Sequence, residues 1–143
     1  MYDSEGWSDW MIPKYNAENT GHIIGYATLG EKTEGDTYTC QVEVEFRGVT
    51  ATEGQTLHFR TQGARDGKWN VGNVWDKSLI DLDGVPEDGV YQFTSTRKVS
   101  GGMLDISTFN VGFRCDYWAS GMYRVRFVKI EKGSTPGEWS PGI

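Results

Sequence analysis

Tyr38-Thr-Cys-Gln-Val-Glu-Val-Glu-Phe46 is the stretch that decides the fold. Tyr38, Cys40, Val42, Val44 and Phe46 share one parity, and Thr39, Gln41, Glu43 and Glu45 share the other. Successive side chains of a strand point to opposite faces, so this pattern reads as an antiparallel strand with one face on a core and one in water. Outward from it the pattern repeats. Leu57, Phe59 and Thr61 oppose His58, Arg60 and Gln62, and Val90 to Ser95 form a further strand. Phe109, Val111, Phe113 and Cys115 oppose Asn110, Gly112, Arg114 and Asp116. His22 to Thr28 supply a first strand and Tyr123 to Lys132 a last one, whose parity slips at Phe127 and Val128 and so predicts a bulge. Glycine-bearing turn signals fall at 30–36, 48–54, 63–67, 83–89 and 100–102. No window keeps apolar residues at i, i+3, i+4 and i+7 over three turns. The expected fold is all-β, an antiparallel β-sandwich of jelly-roll type with two sheets.

The 143 residues suit one domain. Residues 1–19 lack periodicity and read as an N-terminal arm; residues 20–143 read as the β-sandwich domain. Its last stretch, 133–143, holds two of the four prolines and reads as an exit segment. The formal net charge is -6 and no basic run occurs, which argues against a nucleic-acid partner and against docking on an anionic membrane. The densest basic group, Arg124, Arg126 and Lys129, alternates with apolar residues and reads as the wet side of a strand. No apolar run approaches the roughly 20 residues of a membrane span, so no membrane insertion is expected. Met1 to Trp10 are polar and acidic, unlike a signal peptide: either export does not use that route or a leader lies upstream. Two cysteines, Cys40 and Cys115, are too few for a disulfide framework; they read as buried thiols, with one disulfide as the alternative.

Catalysis finds little support. Glu43 and Glu45 are alternate residues on one strand face, about 6–7 Å apart, a spacing that a pair of glycosidase carboxylates can have. Nothing distinctive surrounds them, and they read as a solvated face. His22 and His58 stand alone, without metal-ligand spacing, so neither a metal nor a cofactor is expected. Asp81, Asp83, Glu87 and Asp88 read as solvated turn carboxylates, an ion site being the alternative.

Aromatics are more informative. They make up 13% of the chain, with six tryptophans: Trp7, Trp10, Trp69, Trp75, Trp118 and Trp139. A core of this size uses one or two, which leaves a surplus for a stacking surface. Sugars present C–H faces to flat rings and hydroxyls to Asp, Asn, Gln and Arg, so a glycan site combines exposed Trp with such groups. Arg65-Asp-Gly-Lys-Trp-Asn-Val-Gly-Asn-Val-Trp75 offers Trp69, Asn70, Asn73 and Trp75 in a glycine-broken loop. The competing reading is that one of these rings plugs the sandwich edge. In Arg114-Cys-Asp-Tyr-Trp118, alternation puts Arg114, Asp116 and Trp118 in a row on the face opposite Phe113 and Cys115. Here the alternative is an Arg114–Asp116 ion pair with Trp118 folded over a loop. Trp7 and Trp10 pack on the domain, on a neighbouring chain, or on nothing.

Phe113-Arg-Cys-Asp-Tyr-Trp-Ala-Ser-Gly121, Tyr123-Arg-Val-Arg-Phe-Val-Lys-Ile-Glu-Lys-Gly133 and Glu138-Trp-Ser-Pro141 together resemble a recurrent ending. It is similar to that of the carbohydrate-binding-module-like domains in tail and baseplate proteins of phages of Gram-positive bacteria. Those end in a strand reading roughly V-K-L-E-K-G and an exit reading D-W-x-P; Glu138 stands here where Asp is usual. Gly25-Tyr-Ala-Thr-Leu-Gly30 and Asp36 to Val44 resemble the same domains' first long strand. The resemblance covers about residues 22–141. It implies a jelly roll, a non-catalytic carbohydrate-binding role, a host cell-surface or cell-wall polysaccharide and other phage tail proteins as partners, and a place on the virion, acting outside the cell. Alternatives are a structural domain decorating a tail, and a module of a secreted glycoside hydrolase. It also implies that Trp139 packs back on the sandwich. Related secreted modules hold a structural calcium through an acid early in the last strand. Arg126 and Phe127 occupy the matching positions here, and a cation cannot ligate calcium.

Overall fold

A computed structural model describes residues 5–18, 20–28, 31–65, 68–69, 78–82, 85–99, 101, 104 and 108–133. Six strands appear in it: β1 (Thr20–Thr28), β2 (Thr37–Arg65), β3 (Lys68–Trp69), β4 (Ser78–Leu82), β5 (Gly89–Lys98) and β6 (Thr108–Lys132). No helix occurs among the described residues, and every pairing between strands is antiparallel. The sheet runs β1-β6-β2-β3, with β4 and β5 also on β2. The seed stretch of the sequence reading pairs on both edges. Cys40 faces Ser95 of β5 and Ile130 of β6, and Val44 faces Tyr91 and Val125.

Two expected strands, 38–46 and 57–61, prove to be one. The glycine-bearing stretch 48–54 is a bend inside β2 rather than a chain reversal. β6 likewise unites the strands expected around 109–116 and 123–132. A straight strand of 29 residues would run about 95 Å, several times the radius of a domain this size, so β2 must turn. The ladder shows where it does. From Ala51↔Trp118 to Thr56↔Asp116, five residues of β2 advance against two of β6. Phe113 and Tyr123 are ten residues apart on β6, about 33 Å in a straight strand, yet their ring centroids lie 5.3 Å apart. The β2–β6 ladder therefore bends, and the bend brings Phe113 and Tyr123 into one core.

That core holds Cys40, Val42, Val44, Phe46, Val49, Phe93, Phe113, Cys115, Trp118, Tyr123, Val125 and Val128. Its spacing breaks alternation four times: Phe46 to Val49, Cys115 to Trp118, Trp118 to Tyr123, and Val125 to Val128. Between each pair sits one residue of left-handed backbone: Gly48 (φ 64°), Tyr117 (φ 58°), Gly121 (φ 104°) and Phe127 (φ 56°). A residue with positive φ adds a step to its strand and turns the next side chain to the other face. The slip expected at Phe127 is thus present: from Lys129 to Arg126 β6 takes three steps against two of β2 from Gln41 to Glu43.

The second face of the seed strand is not in water. Thr39, Gln41 and Glu43 are buried as deeply as their apolar neighbours. The Thr39 hydroxyl donates to Gly133 O, Glu43 is ion-paired with Arg126, and over that guanidinium lies Trp7, one of residues 5–18. Those residues follow the free edge of β6 in line with β1: the Ser8 amide donates to Val125 O (2.9 Å), Met11 and Tyr123 exchange two backbone bonds, and the Tyr117 amide donates to Ala17 O (2.9 Å). β1 continues the same edge from Thr20↔Cys115 to Thr28↔Thr108.

Candidate functional site

The expected binding residues separate in space. Trp69 ends the β2–β3 hairpin, its backbone opposite Ala64. Its side chain, together with Asn70, Asn73 and Trp75, lies outside the described residues, as does Trp139. The row of Arg114, Asp116 and Trp118 is not formed. Arg114 Nε donates to Asp116 Oδ1 (3.0 Å), and its Nη2 reaches Glu18 Oε1 (3.3 Å). Asp116 is only 5% exposed, which leaves its carboxylate serving Arg114 rather than a ligand. Trp118 is 0% exposed, with ring centroids of Phe46 at 6.3 Å and Tyr123 at 6.1 Å. Its indole N–H meets no acceptor among the described residues. Trp118 is therefore a core residue and not a stacking platform. Parity reasoning failed because Tyr117 takes a left-handed backbone and turns the next side chain inward.

Sequence reading also misplaced the basic group on β6. Arg124 and Arg126 are only partly exposed; the tryptophans of the arm stack on them. Arg47, Trp10, Arg124, Trp7, Arg126 and Phe127 form a continuous alternation of guanidinium and ring. The centroid distances are 4.7 Å for Arg47–Trp10, 4.7 Å for Arg124–Trp10, 4.9 Å for Arg124–Trp7, 4.3 Å for Arg126–Trp7 and 4.6 Å for Arg126–Phe127. Each stacked guanidinium keeps its N–H rim for hydrogen bonds in the ring plane. Arg126 uses it on Glu43 Oε1 (2.7 Å from Nε), and Arg124 on Glu45 Oε1 (2.6 Å). Gln92 Nε2 adds a bond to Glu43 Oε2 (2.8 Å). The two glutamates are thus ion-paired beneath the arm, not a solvated pair. The signal in the sequence is the matched two-residue spacing of Arg124 and Arg126 on β6 and of Glu43 and Glu45 on the facing strand.

Beside the end of this stack lies a groove of about 290 Å³, lined by Ile12, Tyr15, Arg47, Gly48, Gly121 and Met122. Ile12 is 57% and Tyr15 38% exposed, large values for apolar and aromatic side chains. The Tyr15 hydroxyl donates to Gly121 O (2.9 Å), which fixes the ring against the wall. Gly121 allows close backbone approach: a Cβ there would lie 2.5 Å from Val49 Cα. On the other flank, the Gly48 amide donates to Asp88 Oδ1 (2.7 Å).

Inside the core, His22 Nδ1 lies 2.6 Å from the Tyr123 hydroxyl. Burial lowers the His22 pKa below its ordinary value and pushes the Tyr123 hydroxyl well above its own. Burial likewise pushes the Cys40 and Cys115 thiols far up; both are free cysteines, so the thiol reading holds over the disulfide. Among the described residues no group of His, Cys, Asp and Glu is arranged to hold a metal ion, and no helix is long and apolar enough to cross a membrane.

No protein-family pattern matches this sequence, and no curated protein is similar to it in sequence. Solved structures share its fold. One is a CBM4 carbohydrate-binding module, 10% identical, at a TM-score of 0.50 over 80% of this chain and 61% of that one. A second is the C-terminal domain of EclA, a sugar-binding protein, 21% identical, at a TM-score of 0.51 over 92% of this chain and 81% of that one. A third is the tripod from the baseplate of bacteriophage Tuc2009, 21% identical, at a TM-score of 0.54 over 93% of this chain and 48% of that one. The chain thus spans less than two thirds of the length of the first and third. At these identities the likeness is one of fold: an antiparallel β fold found in carbohydrate-binding modules and in a phage baseplate protein.

Proposed function

We propose that this chain is a non-catalytic carbohydrate-binding module, with its two-layer jelly roll formed by the folded-back β2–β6 ladder. In this reading it is carried on a phage tail or baseplate and binds polysaccharide of the host surface or cell wall. The observation that carries the reading is the shared fold: a CBM4 module, a sugar-binding domain and a baseplate tripod all superpose on at least 80% of this chain. The absence of free carboxylates at Glu43 and Glu45, both held by arginines, supports a binding role over a hydrolytic one. In this reading Trp69 and Trp75 stack on sugar rings and Asn70 and Asn73 meet hydroxyls. Other tail proteins are its assembly partners.

Open-face stacking recovers little beyond its ordering costs, so a single copy binds weakly and many copies on a particle act through avidity. Titration of the chain with host cell-wall polysaccharide, followed by calorimetry, tests this. The double variant W69A/W75A should lose most of the heat while keeping its unfolding midpoint. A chain that binds no member of a broad glycan array would overturn the proposal. A second reading, a structural domain within a tail, is favoured by one observation: Trp7 and Trp118 are buried internally, which shrinks the surplus of exposed rings. Light scattering showing a dimer or trimer that buries Trp69 and Trp75 would support it.

A further inference from the structure

We infer that the groove between the arm and the β2 bend is a second saccharide subsite, selective for a sugar unit bearing a carboxylate or phosphate. This rests on the carbohydrate-binding reading and adds to it a site and a ligand class. Three observations meet there. First, Tyr15 presents a partly exposed ring whose orientation is locked by its bond to Gly121 O. A pre-oriented ring stacks on a sugar face without first losing rotamer freedom. Second, the wall is built from Ile12 and Met122 with two glycine backbones, giving a shallow apolar bed open to solvent. Third, Arg47 stands at the rim with its guanidinium over Trp10 at 4.7 Å.

Arg47 differs from its companions in the stack. Arg124 pairs with Glu45, Arg126 with Glu43, and Arg114 with Asp116 and Glu18. Arg47 has no carboxylate partner among the described residues. The adjacent acid, Asp88, accepts the Gly48 amide. Ring stacking uses the face of the guanidinium and leaves its five N–H donors in the plane. The result is a charged fork with no carboxylate acceptor among the described residues, next to a ring fixed by its hydroxyl. Its geometry suits bidentate capture of a carboxylate or phosphate on a stacked sugar. The chain's net charge of -6 repels anions at long range, so selection operates through this contact and not through the field of the whole molecule.

The test is titration of the full chain, labelled with nitrogen-15, with trigalacturonate, glucose 6-phosphate and neutral maltotriose. The amides of Gly48, Gly121 and Met122 and the Arg47 Nε–H are followed. Saturable shifts of these signals with at least one anionic probe, about tenfold tighter than with maltotriose, are expected. Which anion binds more tightly tells carboxylate from phosphate. R47Q should lose that tenfold preference while Y15F, which keeps the ring, retains it in part. If R47Q proves unstable, the wild-type titration decides alone. Equal affinity for maltotriose overturns the inference. So does binding that moves the Trp69 and Trp75 indole signals and leaves the groove amides still, although the carbohydrate reading then stands. Failure of every probe and of host polysaccharide overturns both.

Discussion

The arm is a structural part of the sheet, and Trp7→Ala measures how much it contributes. Trp7 is 4% exposed, lodged between the guanidiniums of Arg124 and Arg126 at 4.9 and 4.3 Å. Truncating a buried tryptophan to alanine costs about 3–5 kcal/mol from lost transfer energy and the cavity left behind. Each cation–π contact contributes about 0.5–1 kcal/mol where water is near and about 2 where it is not. Arg126, which pairs with the buried Glu43, lies against the ring and would gain water on its removal. A loss of about 4 kcal/mol is therefore expected, a large share of the roughly 5–15 kcal/mol that holds a domain together. The melting midpoint should fall by about 10 °C. Urea unfolding followed by far-UV circular dichroism gives the free energy without relying on the deleted chromophore. Trp7→Phe, which keeps a ring, should recover more than half of the loss. The W7A/R126A double-mutant cycle should show a coupling of about 1 kcal/mol or more. A W7A variant that loses less than about 1 kcal/mol, the scale of a surface substitution, would refute the picture of the arm as a structural strip.

Three further outcomes follow from particular geometries. Gly121→Ala puts a Cβ 2.5 Å from Val49 Cα and 2.7 Å from Val49 N at φ 104°, backbone against backbone, and should cost at least about 3 kcal/mol or abolish soluble expression. Gly133→Ala, with φ 122° and nothing within 4 Å, is the control and should cost only the backbone strain, about 1–2 kcal/mol. His22 has its pKa lowered by burial, so between that value and 6.5 the unfolded chain binds the extra proton. Stability must then rise with pH through this window and fall on acidification below 6.5. The urea midpoint of the wild type should drop between pH 7.5 and 5, and His22→Gln should flatten that slope. Asp36, whose carboxyl is lowered chiefly by the Thr33 amide, has the same sign but acts only as pH falls below 3.8. Finally, the Cys40 and Cys115 thiols should resist a disulfide reagent at pH 8 in the native state, and both should react in guanidinium chloride.

Strand identity was readable in the residues because each local run alternates cleanly: Tyr38 to Phe46 sits in β2 with the predicted parity, and Phe113 and Cys115 face the core as expected. What alternation could not carry was extrapolation past a left-handed residue. Arg114 was placed correctly on the outer side, but Trp118, four positions on, was not, because Tyr117 intervenes. Gly48 and Gly121 are glycines that a turn reading accepts equally well, so a bend within a paired strand looked like a chain reversal. Tyr117 and Phe127 carry no composition cue at all; only the parity slip at Phe127 and Val128 betrayed the second. The two faces of the seed strand posed a different problem. Glu43 and Glu45 read as wet because charged residues usually are. The burial of Glu43 and the partial burial of Glu45 depend on Arg124, Arg126 and Trp7, partners from both ends of the chain that a local pattern cannot see.

Those contacts narrow the surface left for a ligand. A count of six tryptophans overstates the stacking surface, because Trp7 and Trp118 are spent on structure and Trp10 lies between Arg47 and Arg124. The proposed ligand surface is then a smaller and more local set: Trp69, Asn70, Asn73 and Trp75, and the Tyr15 groove that composition does not flag. The groove exists only because the arm is in place. Tyr15, Ile12 and Trp10 all belong to it, and its backbone bonds occupy the edge of β6 from Tyr117 to Val125. A chain beginning at residue 20 would leave that edge open, remove the ring that holds Arg47, and dismantle the groove while sparing the hairpin. The arm therefore ties one half of the candidate binding surface to the stability of the sheet, so that loss of the Trp7 stack should weaken binding at the groove before it weakens binding at Trp69 and Trp75.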